Sequence, residues 1–437
     1  MSSLLLDMQD FSSAPPSHTD DYSIADTLPK LVTQALRAET SSIAFVLKLG
    51  KALHQYGTPA HRLEDTLVDI SNTLGLEGQF FSTPTSIFAS FGDPEEQRTT
   101  LIRVEPGEVN LEKLVLLDTL AEQVLDGTLT PSEGAQQIDE IVAARPRYGD
   151  FLTAICFGIS SGAASRFLGG GWREILMATV IGMALGIFAW LAGRYPNLSR
   201  VFDPVSAIIA SVLAIVATQV FAPISVYITT LGGLIVLVPG LTLTVAMNEL
   251  AQRSLVAGTA RLMSAILLLI EIGFGVALGT QIQRILPAVS MFQRPEPLPW
   301  WTEPLALLIA PLSLAVLFRA RPKDMGWILL SALVGFWGAR TGAWMLGPEL
   351  GVCLGALLVG LAGNLYNKYK KRPAAVLLVP GIMLLVPGSV GYGSVAKFLE
   401  KDVVSGVEAA FRMILVAIAL VTGLLLANTT MPPRKAL

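Results

Sequence analysis

The sequence predicts a polytopic α-helical membrane protein of about ten transmembrane helices, arranged as two inverted five-helix repeats behind a small α/β cytosolic N-terminal domain. The chain of 437 residues is 52% hydrophobic and only 15% charged, whereas soluble proteins carry about a quarter charged residues. The charges concentrate in the first 150 residues, and ten apolar runs follow in two sets of five. A four-residue motif also returns at equivalent places in the two sets.

The motif is Leu-Val-Pro-Gly, at positions 237–240, 378–381 and 385–388. Gly258 and Gly406 follow the first and last copies at equal spacing, which indicates an internal repeat. The alternative is that short apolar strings recur by chance in an apolar chain. Proline removes a backbone donor and glycine permits unusual backbone angles, so each copy inside an apolar run predicts a broken helix.

The apolar runs and the charge distribution divide the chain into five segments. We predict a disordered tail over residues 1–38, a cytosolic α/β domain over 39–148, a first membrane repeat over 149–285, a periplasmic linker over 286–303 and a second membrane repeat over 304–437. Some runs are shorter than the ~20 residues that span a bilayer upright. An odd number of helices per repeat makes the second copy cross the membrane in the opposite sense, as in many secondary transporters.

Basic residues predict the orientation of the chain. With the N-terminus in the cytosol, the clusters Arg319–Lys323 and Lys368–Arg372 fall inside, whereas Arg284 and Arg294 fall outside. The excess of basic residues inside agrees with the positive-inside rule, so both termini are predicted to be cytosolic. The formal net charge of −3 argues against nucleic acid as a partner.

The soluble region changes from helical to strand periodicity and back. Helices are predicted over 44–56, 63–74, 111–125 and 131–143, and strands over 79–83, 86–91 and 99–104. Asn110 and Thr130 are predicted to begin the third and fourth helices. Together these elements predict a small α/β domain of ordinary size.

Several motifs of this region resemble the threonine/serine exporter family. They are Gly50, Gly57, Arg62 and Glu64 in a G-x6-G-x4-R-x-E pattern, then Phe81-Ser82-Thr83-Pro84-Thr85-Ser86-Ile87, then Arg103 and the 110–114 segment. The Leu-Val-Pro-Gly copies resemble that family's membrane region, so the resemblance runs from about residue 42 to the end. It implies a bacterial inner-membrane exporter of threonine and serine with ten membrane helices and a cytosolic N-terminal domain, here in the fused single-chain form.

A helix break at membrane depth exposes backbone groups that protein, water or ligand must satisfy. The N–H groups after such a break suit a carboxylate, and the carbonyls before it suit an ammonium group. The predicted substrate-binding residues are therefore Pro239, Gly240, Pro380, Gly381, Pro387 and Gly388. The alternative is that each break is only a kink for helix packing.

Charged side chains inside apolar runs are costly and are candidates for function. Glu271, with apolar residues on both sides, is predicted to carry a coupling proton. The alternative pairs it with a nearby arginine, Arg261 or Arg340. The candidate gating or charge-pair residues are Asp203, Arg261, Arg340, Glu408 and Arg412, of which the last two are four apart on one helix face.

We predict a secondary active exporter of small hydroxy amino acids, driven by the proton gradient through alternating access. A channel is one alternative, because the same breaks permit it. No G-x4-G-K-[ST] motif is present, so no ATP site is predicted. The predicted partners are the amino-acid substrate, the proton and the lipid bilayer, and a homo-oligomer is left open.

A second alternative is a membrane-tethered hydrolase, with His61 beside Glu64 or Asp65 and a hydroxyl at Ser82 or Ser86. The plainer interpretation of the same helix is a solvated face with an Arg62–Glu64 pair. No catalytic residue is predicted, since no nucleophile-elbow motif is present. Two cysteines and three histidines predict neither a disulfide framework nor a metal site, and no cofactor is predicted.

Overall fold

The soluble region contains four helices and one small sheet. The computed structural model describes residues 21–93, 95, 97–221, 223–286, 294–385, 388–399 and 401–432. The helices are α1 (Asp21–Gln55), α2 (Ala60–Thr73), α3 (Leu111–Leu125) and α4 (Pro131–Ala143), and the strands are β1 (Gly78–Thr83), β2 (Ser86–Phe91) and β3 (Arg98–Arg103). The strands are antiparallel in the order β1-β2-β3, with Phe81 opposite Phe88 and Phe88 opposite Leu101.

Local sequence explains where α3 and α4 begin. The Asn110 side chain accepts the Lys113 N–H at 3.0 Å. Thr130 and Glu133 form a capping box, with a proline in the first turn of α4. Both predicted helix starts are therefore confirmed.

The N-terminal tail differs from the prediction. A disordered segment is expected over residues 1–38, whereas α1 already begins at Asp21. Ile24, Leu28 and Leu31 recur at helical spacing, which accounts for a helix continuous with the later part of α1. Residues 1–20 lie outside the described residues.

Helix α1 forms the centre of the soluble core. Its buried Phe45, Leu49 and Leu53 pack with the other three helices and with Ile87 and Ala89 of the sheet. Complete burial of a Leu or Phe side chain stabilises the folded state by about 1.5–3 kcal/mol relative to exposure. The apolar periodicity of α1 is thus the main organiser of this domain.

The membrane helices coincide with the predicted apolar runs. The first half contains α5 (Asp150–Phe167), α6 (Trp172–Ala192), the short α7 (Pro196–Ser199), α8 (Phe202–Phe221), α9 (Val226–Leu234), α10 (Gly240–Ala251) and α11 (Leu255–Thr280). The second half contains α12 (Thr302–Leu317), α13 (Met325–Leu346), α14 (Pro348–Lys370), α15 (Ala375–Met383), α16 (Gly388–Leu399) and α17 (Val403–Thr430). The pairs α9–α10 and α15–α16 are the two predicted broken helices.

Among the described residues, six stretches are long and apolar enough to span a membrane. They are Trp172–Ala192, Phe202–Phe221, Leu255–Arg284, Pro348–Lys370, Ala375–Phe398 and Val403–Thr430. Large apolar side chains such as Trp190, Leu267 and Phe411 are exposed on these helices, as expected for contact with lipid. The chain is therefore a polytopic helical membrane protein, and the count of ten spanning helices stays a prediction.

The two membrane halves contain matching elements. Helices α9 and α15 each have 9 residues, and α10 and α16 each have 12. The packing between the halves is reciprocal, because α10 packs on α17 while α16 packs on α11. The first helices of the two halves, α5 and α12, also pack on each other. Reciprocal contacts between equivalent elements are typical of a two-fold relation.

The soluble domain packs on one end of the membrane helices. The Leu111 N–H bonds to the Phe318 carbonyl at 3.0 Å, and the Tyr148 hydroxyl donates to the Ala320 carbonyl at 2.6 Å. The soluble core continues into α14 and α15, so that the soluble domain and the second half share one apolar cluster. The domain is thus held by buried contacts rather than by a linker alone.

The other ends of the helices are connected by a separate set of contacts. The Arg166 Nε donates to the Thr302 hydroxyl at 2.7 Å. The buried Glu174 carboxylate accepts the N–H groups of Gly171 and Ser225, at 2.9 and 2.8 Å. These bonds fix the start of α6 and the residues that precede α9. They lie near the end of α5, whereas the soluble domain contacts the region before its start.

Candidate functional site

The first helix break lies between α9 and α10. Pro239 precedes α10 and provides no side-chain cap. The Gly240 N–H bonds to the Val238 carbonyl at 2.7 Å, which makes a tight three-residue turn. The N–H groups of Leu241 and Thr242 lie in the first turn of α10, where no preceding helical carbonyl reaches them. The break thus presents backbone donors, as the sequence predicts.

The two breaks meet in space. A Cβ atom added to Gly388 would lie 2.8 Å from Val238 Cγ1 and 3.3 Å from the Gly240 Cα. Glycine at position 388 therefore allows the first residues of α10 and α16 to approach closely. Pro387, also predicted to bind substrate, lies outside the described residues.

A cavity of about 200 Å³ lies at this meeting point, and we call it the central cavity. Helices α5 and α12 and both breaks line it, with hydroxyl groups from Ser160 and Ser389. The Ser160 and Ser313 hydroxyls lie 2.8 Å apart, and both residues are buried. None of its described lining residues is charged. The volume is several times the ~30 Å³ that a water molecule occupies, so a ligand of several heavy atoms fits.

The second motif copy, Pro380-Gly381, is not at a break. Both residues lie inside α15 and are buried, and neither lines a described cavity. A Cβ at Gly381 would meet Ser331 Oγ at 2.8 Å and Val359 Cγ1 at 3.0 Å. The prediction that this pair binds substrate directly is therefore not supported by its position, since Gly381 serves close packing against α13 and α14.

A larger cavity of about 410 Å³ lies between the soluble domain and the membrane helices, and we call it the interdomain cavity. The soluble domain contributes residues that include Gly57, His61, Arg62 and Pro84. Helices α10, α11, α14, α15 and α17 also contribute to the walls. The charged residues among its described lining are Arg62 and Arg261. Uncharged polar groups include Asn248 and Asn428.

Glu249 connects the soluble domain to the membrane helices. Its carboxylate is fully buried, accepts the Ala60 N–H at 2.9 Å, and receives the Arg261 Nε at 3.0 and 3.1 Å. A carboxylate at the N-terminus of α2 is also favoured by the helix dipole. Sequence reasoning missed Glu249, although a carboxylate twelve residues before Arg261, at the end of an apolar run, is a signal that points to it.

Hydrogen bonds connect the motifs of the soluble domain that resemble the threonine/serine exporter family. The Glu64 carboxylate accepts the Ser82 N–H at 2.6 Å, and His54 Nε2 donates to the Thr83 carbonyl at 2.7 Å. Arg62 therefore does not pair with Glu64, contrary to the plainer interpretation. These bonds hold the turn between β1 and β2 against α1 and α2.

The remaining motif residues shape the same region. Gly57 has φ +95°, a left-handed conformation that favours glycine, and lines the interdomain cavity together with Pro84. The Thr85 carbonyl accepts the Val104 N–H at 3.0 Å. Arg103 is exposed at the end of β3, opposite Ser86, and lines neither cavity.

Burial perturbs the titratable groups around the interdomain cavity. Burial, reinforced by the neighbouring Arg62, lowers the pKa of His61 to about 4. His61 Nε2 lies 2.8 Å from Gln252 Nε2, which donates to it when the ring is neutral. Burial lowers the pKa of Arg62, whereas Asp118 and Asp65 oppose that shift. Burial likewise raises the pKa of Glu64.

The structure separates Glu271 from the arginines proposed as its partners. Arg261 pairs with Glu249, and Arg340 pairs with Glu303 at 2.7 Å. Glu271 is instead close enough to Asp203, in the first turn of α8, for the two carboxylates to interact electrostatically. It lines neither cavity.

Arg412 and Glu408 form the intrahelical pair that their spacing predicts, at 2.8 Å, and Arg412 also reaches Glu349 at 3.7 Å. Glu349 lies in the first turn of α14, so this small cluster connects α17 with the start of α14. Both glutamates are partly exposed, and pairs of this kind contribute about 0–1 kcal/mol in water.

The serine and histidine residues of the hydrolase alternative do not form a nucleophile–base pair. The Ser82 hydroxyl is buried without a partner, and the Ser86 hydroxyl lies 2.8 Å from that of Thr83. His54 bonds to a backbone carbonyl and His61 lies beside Gln252. Within the part of the chain that the structure describes, no serine hydroxyl is therefore bonded to a histidine.

The fold and its cavities define a polytopic membrane protein with ligand-sized space at two helix breaks, which is the architecture of a membrane transporter. Residues 44–283 match the family described as "Putative threonine/serine exporter", and residues 303–430 match "Threonine/Serine exporter". The chain belongs to this family of membrane exporters. No solved structure matches it.

Its curated relatives include fungal proteins named pheromone-regulated membrane protein 10. The protein of Debaryomyces hansenii is 26% identical over 387 residues, covering 84% of this chain and 37% of its own length. That of Eremothecium gossypii is 27% identical, covering 85% and 50%, and that of Saccharomyces cerevisiae is 26% identical, covering 84% and 48%. The chain thus spans half or less of the length of these relatives.

Proposed function

We propose that this protein exports small hydroxy amino acids, threonine and serine, across a membrane by alternating access at the central cavity. The observation that carries the proposal is the meeting of two helix breaks, one from each half, at an uncharged cavity. Helices that break at a binding site between two repeats are the pattern of secondary transporters. The choice of substrate rests on the family description, since the cavity itself specifies only a small polar ligand.

The chemistry of the central cavity suits a zwitterion. Helix α10 begins at the cavity wall with Gly240, and its dipole places partial positive charge there that favours a carboxylate. The carbonyls that precede the break are acceptors for an ammonium group. The Ser160 and Ser389 hydroxyls supply partners for the hydroxyl of threonine or serine. A charged side chain is unnecessary, because the backbone provides both signs of partial charge.

We place the soluble domain and both termini in the cytosol, in two inverted repeats of five helices, and propose a bacterial inner membrane on the family resemblance. Lys371 and Lys401 are both exposed and lie on opposite sides in this topology. Each is replaced by cysteine in a background without Cys156 and Cys353. An impermeant thiol reagent added outside intact cells should label position 401 only. Labelling of position 371 alone would reject the topology and the inverted repeat.

We propose that the proton travels on Glu271, assisted by Asp203. Glu271 lies in the long apolar helix α11 near Asp203, and carboxylates within membrane helices are candidates for proton relays. Glu271→Gln should therefore abolish accumulation driven by a pH difference and keep substrate exchange. A normal gradient in this variant would show that Glu271 is structural.

The central test is counterflow of labelled threonine in proteoliposomes, with Gly388→Ala as the diagnostic variant. The added methyl group would collide with Val238 and the backbone of Gly240, so counterflow should fall at least 10-fold. Gly326→Ala is the matched control, because a Cβ there meets nothing within 4 Å. If Gly388→Ala and Gly326→Ala were equally active, the contact between the two helix breaks would not be part of the transport path.

Counterflow also separates the carrier from the channel alternative. A carrier exchanges labelled for unlabelled substrate and saturates, whereas a channel does neither. Absence of threonine and serine counterflow, with transport of another solute, would retain the architecture and reject the substrate.

A further inference from the structure

The interdomain cavity has an electrostatic character that the transport proposal does not use. Its described lining contains two guanidinium groups, from Arg62 and Arg261, and no carboxylate. His61, which also lines it, is neutral at pH 7 because burial lowers its pKa to about 4. The lining therefore carries positive charge that no lining side chain balances.

Both guanidinium groups retain unused donors. Arg261 bonds to Glu249 through Nε, so its two terminal nitrogens are left for another acceptor. Arg62 makes no hydrogen bond or ion pair with any residue in the described ranges. Asp118 and Asp65 act on it only through longer-range attraction. Arg62 is half-buried, and a partly desolvated cation without a bonded partner carries a cost that a bound anion relieves.

The size and position of the cavity suit a small organic ligand. Its volume is about 410 Å³, and its walls come from the soluble domain and from both membrane halves. Arginine is the residue that best matches a carboxylate, because its planar fork donates two parallel hydrogen bonds. Apolar walls from α15 and α17 exclude water around such a contact and strengthen it.

We propose that the interdomain cavity is a second ligand site, which binds a small carboxylate through Arg62 and Arg261. The site differs from the central cavity in its charge, because two guanidinium groups line it, whereas no described lining residue of the central cavity is charged. The carboxylate belongs either to the transported amino acid, on its way to the central cavity, or to a separate organic acid. The inference stands even if the central cavity transports another substrate.

Occupation of this site connects the soluble domain to transport. Arg62 belongs to α2 and Arg261 to α11, so one bound carboxylate links the two parts of the protein. The ligand therefore stabilises the arrangement in which the soluble domain is docked. Movement of α10 and α11 during transport changes the site and, by reciprocity, its affinity for the carboxylate.

Three related ligands distinguish the two sites in the purified full chain. Threonine carries both charged groups, 3-hydroxybutyrate lacks the amine, and threoninol lacks the carboxylate. Calorimetry should show two sites for threonine, one site for 3-hydroxybutyrate and none of comparable affinity for threoninol. Stronger binding of 3-hydroxybutyrate than of threonine at the Arg62-dependent site would identify a separate organic acid as the ligand, and the reverse would identify the transported amino acid.

Arg62→Gln should lower the affinity for 3-hydroxybutyrate at least 10-fold. Threonine binding at the central cavity should stay unchanged. Arg62→Lys keeps the charge without the fork and should weaken binding less. Arg103→Gln is the matched control, because Arg103 is an exposed arginine of the same domain outside both cavities. Unfolding temperatures of all variants establish that they are folded.

Two outcomes would overturn this proposal: wild-type protein that binds no 3-hydroxybutyrate, or equal affinities for the variants at positions 62 and 103. Loss of threonine counterflow from wild-type protein with intact 3-hydroxybutyrate binding would instead reject only the transport proposal.

Discussion

The two cavities differ in the kind of polar group that lines them. The central cavity has hydroxyl groups and broken backbone but no charged lining residue, among those described. The interdomain cavity has two arginines, one of them held by the buried Glu249. Both are bordered by the same broken helices, since α10 and α15 contribute to each.

The difference follows from the cost of burying charge. A full charge in the membrane interior requires a partner at every stage of transport, whereas partial charges of the backbone are fixed by the fold. Where α10 and α11 meet the soluble domain, Arg62 and Arg261 lie in the wall of the interdomain cavity, and Glu249 neutralises Arg261. Of the two cavities, the one beside the soluble domain therefore has full charges, and the one at the helix breaks has partial charges.

The largest expected effect is on Glu249, because its pair with Arg261 holds the interface that encloses the interdomain cavity. Glu249→Ala leaves a buried guanidinium and the Ala60 N–H without an acceptor, and removal of one member of a buried pair costs about 3–5 kcal/mol. We expect a clearly lower unfolding temperature and faster tryptic cleavage between the soluble and membrane regions. Thermal unfolding and limited proteolysis of the purified protein measure these effects.

The matched control is Asp139→Ala, which breaks the exposed Lys48–Asp139 pair of the soluble domain at a cost of about 0–1 kcal/mol. The double variant Glu249→Ala/Arg261→Ala should be less destabilised than Glu249→Ala alone, because no unpaired charge remains. A double variant as unstable as the sum of its single variants would show that the two residues act independently.

The second expected effect is on the central cavity. Replacement of Pro239 and Gly240 by Ala-Ala favours a continuous helix, because proline and glycine are poorer helix formers than alanine by about 3 and 1 kcal/mol. The backbone of the break, which lines the central cavity at Val236, Val238 and Gly240, then closes helical hydrogen bonds, so threonine affinity at the central site should fall about 100-fold. Calorimetry on the same preparation should show unchanged 3-hydroxybutyrate binding in the interdomain cavity.

A packing kink predicts the opposite result. The Ala-Ala variant would then be less thermostable and bind threonine normally at both sites. Measurement of unfolding temperature and threonine affinity on one preparation therefore decides between a binding site and a kink.

The sequence predicts the fold better than it predicts the site. Apolar periodicity locates the helices because burial in lipid or core is a local property of each run, and Asn110 and Thr130 mark helix starts because capping is local. The position of Gly240 at a break is likewise encoded by its proline neighbour. Contacts between distant segments leave no such local signal.

Three cases show which features of the structure local sequence patterns do not predict. The spacing of Glu249 to Arg261 is visible in the sequence, but its bond to the Ala60 N–H follows only from the placement of α2. Pro380-Gly381 shares the motif of the breaks but lies inside α15, where the helix continues past Pro380 although proline lacks one helical N–H donor. Arg62 is a surface helix residue by periodicity, and only the packing of three segments makes it part of a cavity.

The smallest expected effect is on the pH dependence of folding stability. We assign it to the interdomain cavity, because the described lining of the central cavity contains no titratable side chain. Burial and Arg62 lower the pKa of His61 to about 4, below the ~6.5 of an unfolded chain. Above pH 6.5 the histidine is neutral in both states and costs nothing. As the pH falls from 6.5 towards 4, the unfolded state binds a proton that the folded state does not, so stability is lost. At pH 5 the loss is about 2 kcal/mol, since one pH unit corresponds to about 1.4 kcal/mol.

His61→Gln removes this titration while an amide still faces Gln252, so its unfolding temperature should fall less between pH 7 and pH 5 than that of the wild type. His18→Gln, a change in the N-terminal segment outside the described residues, serves as the control and should follow the wild type. Parallel curves for all three proteins would mean that His61 is accessible to protons in the folded state. The interdomain cavity would then be open to water rather than enclosed, and a bound carboxylate would be screened there instead of strengthened.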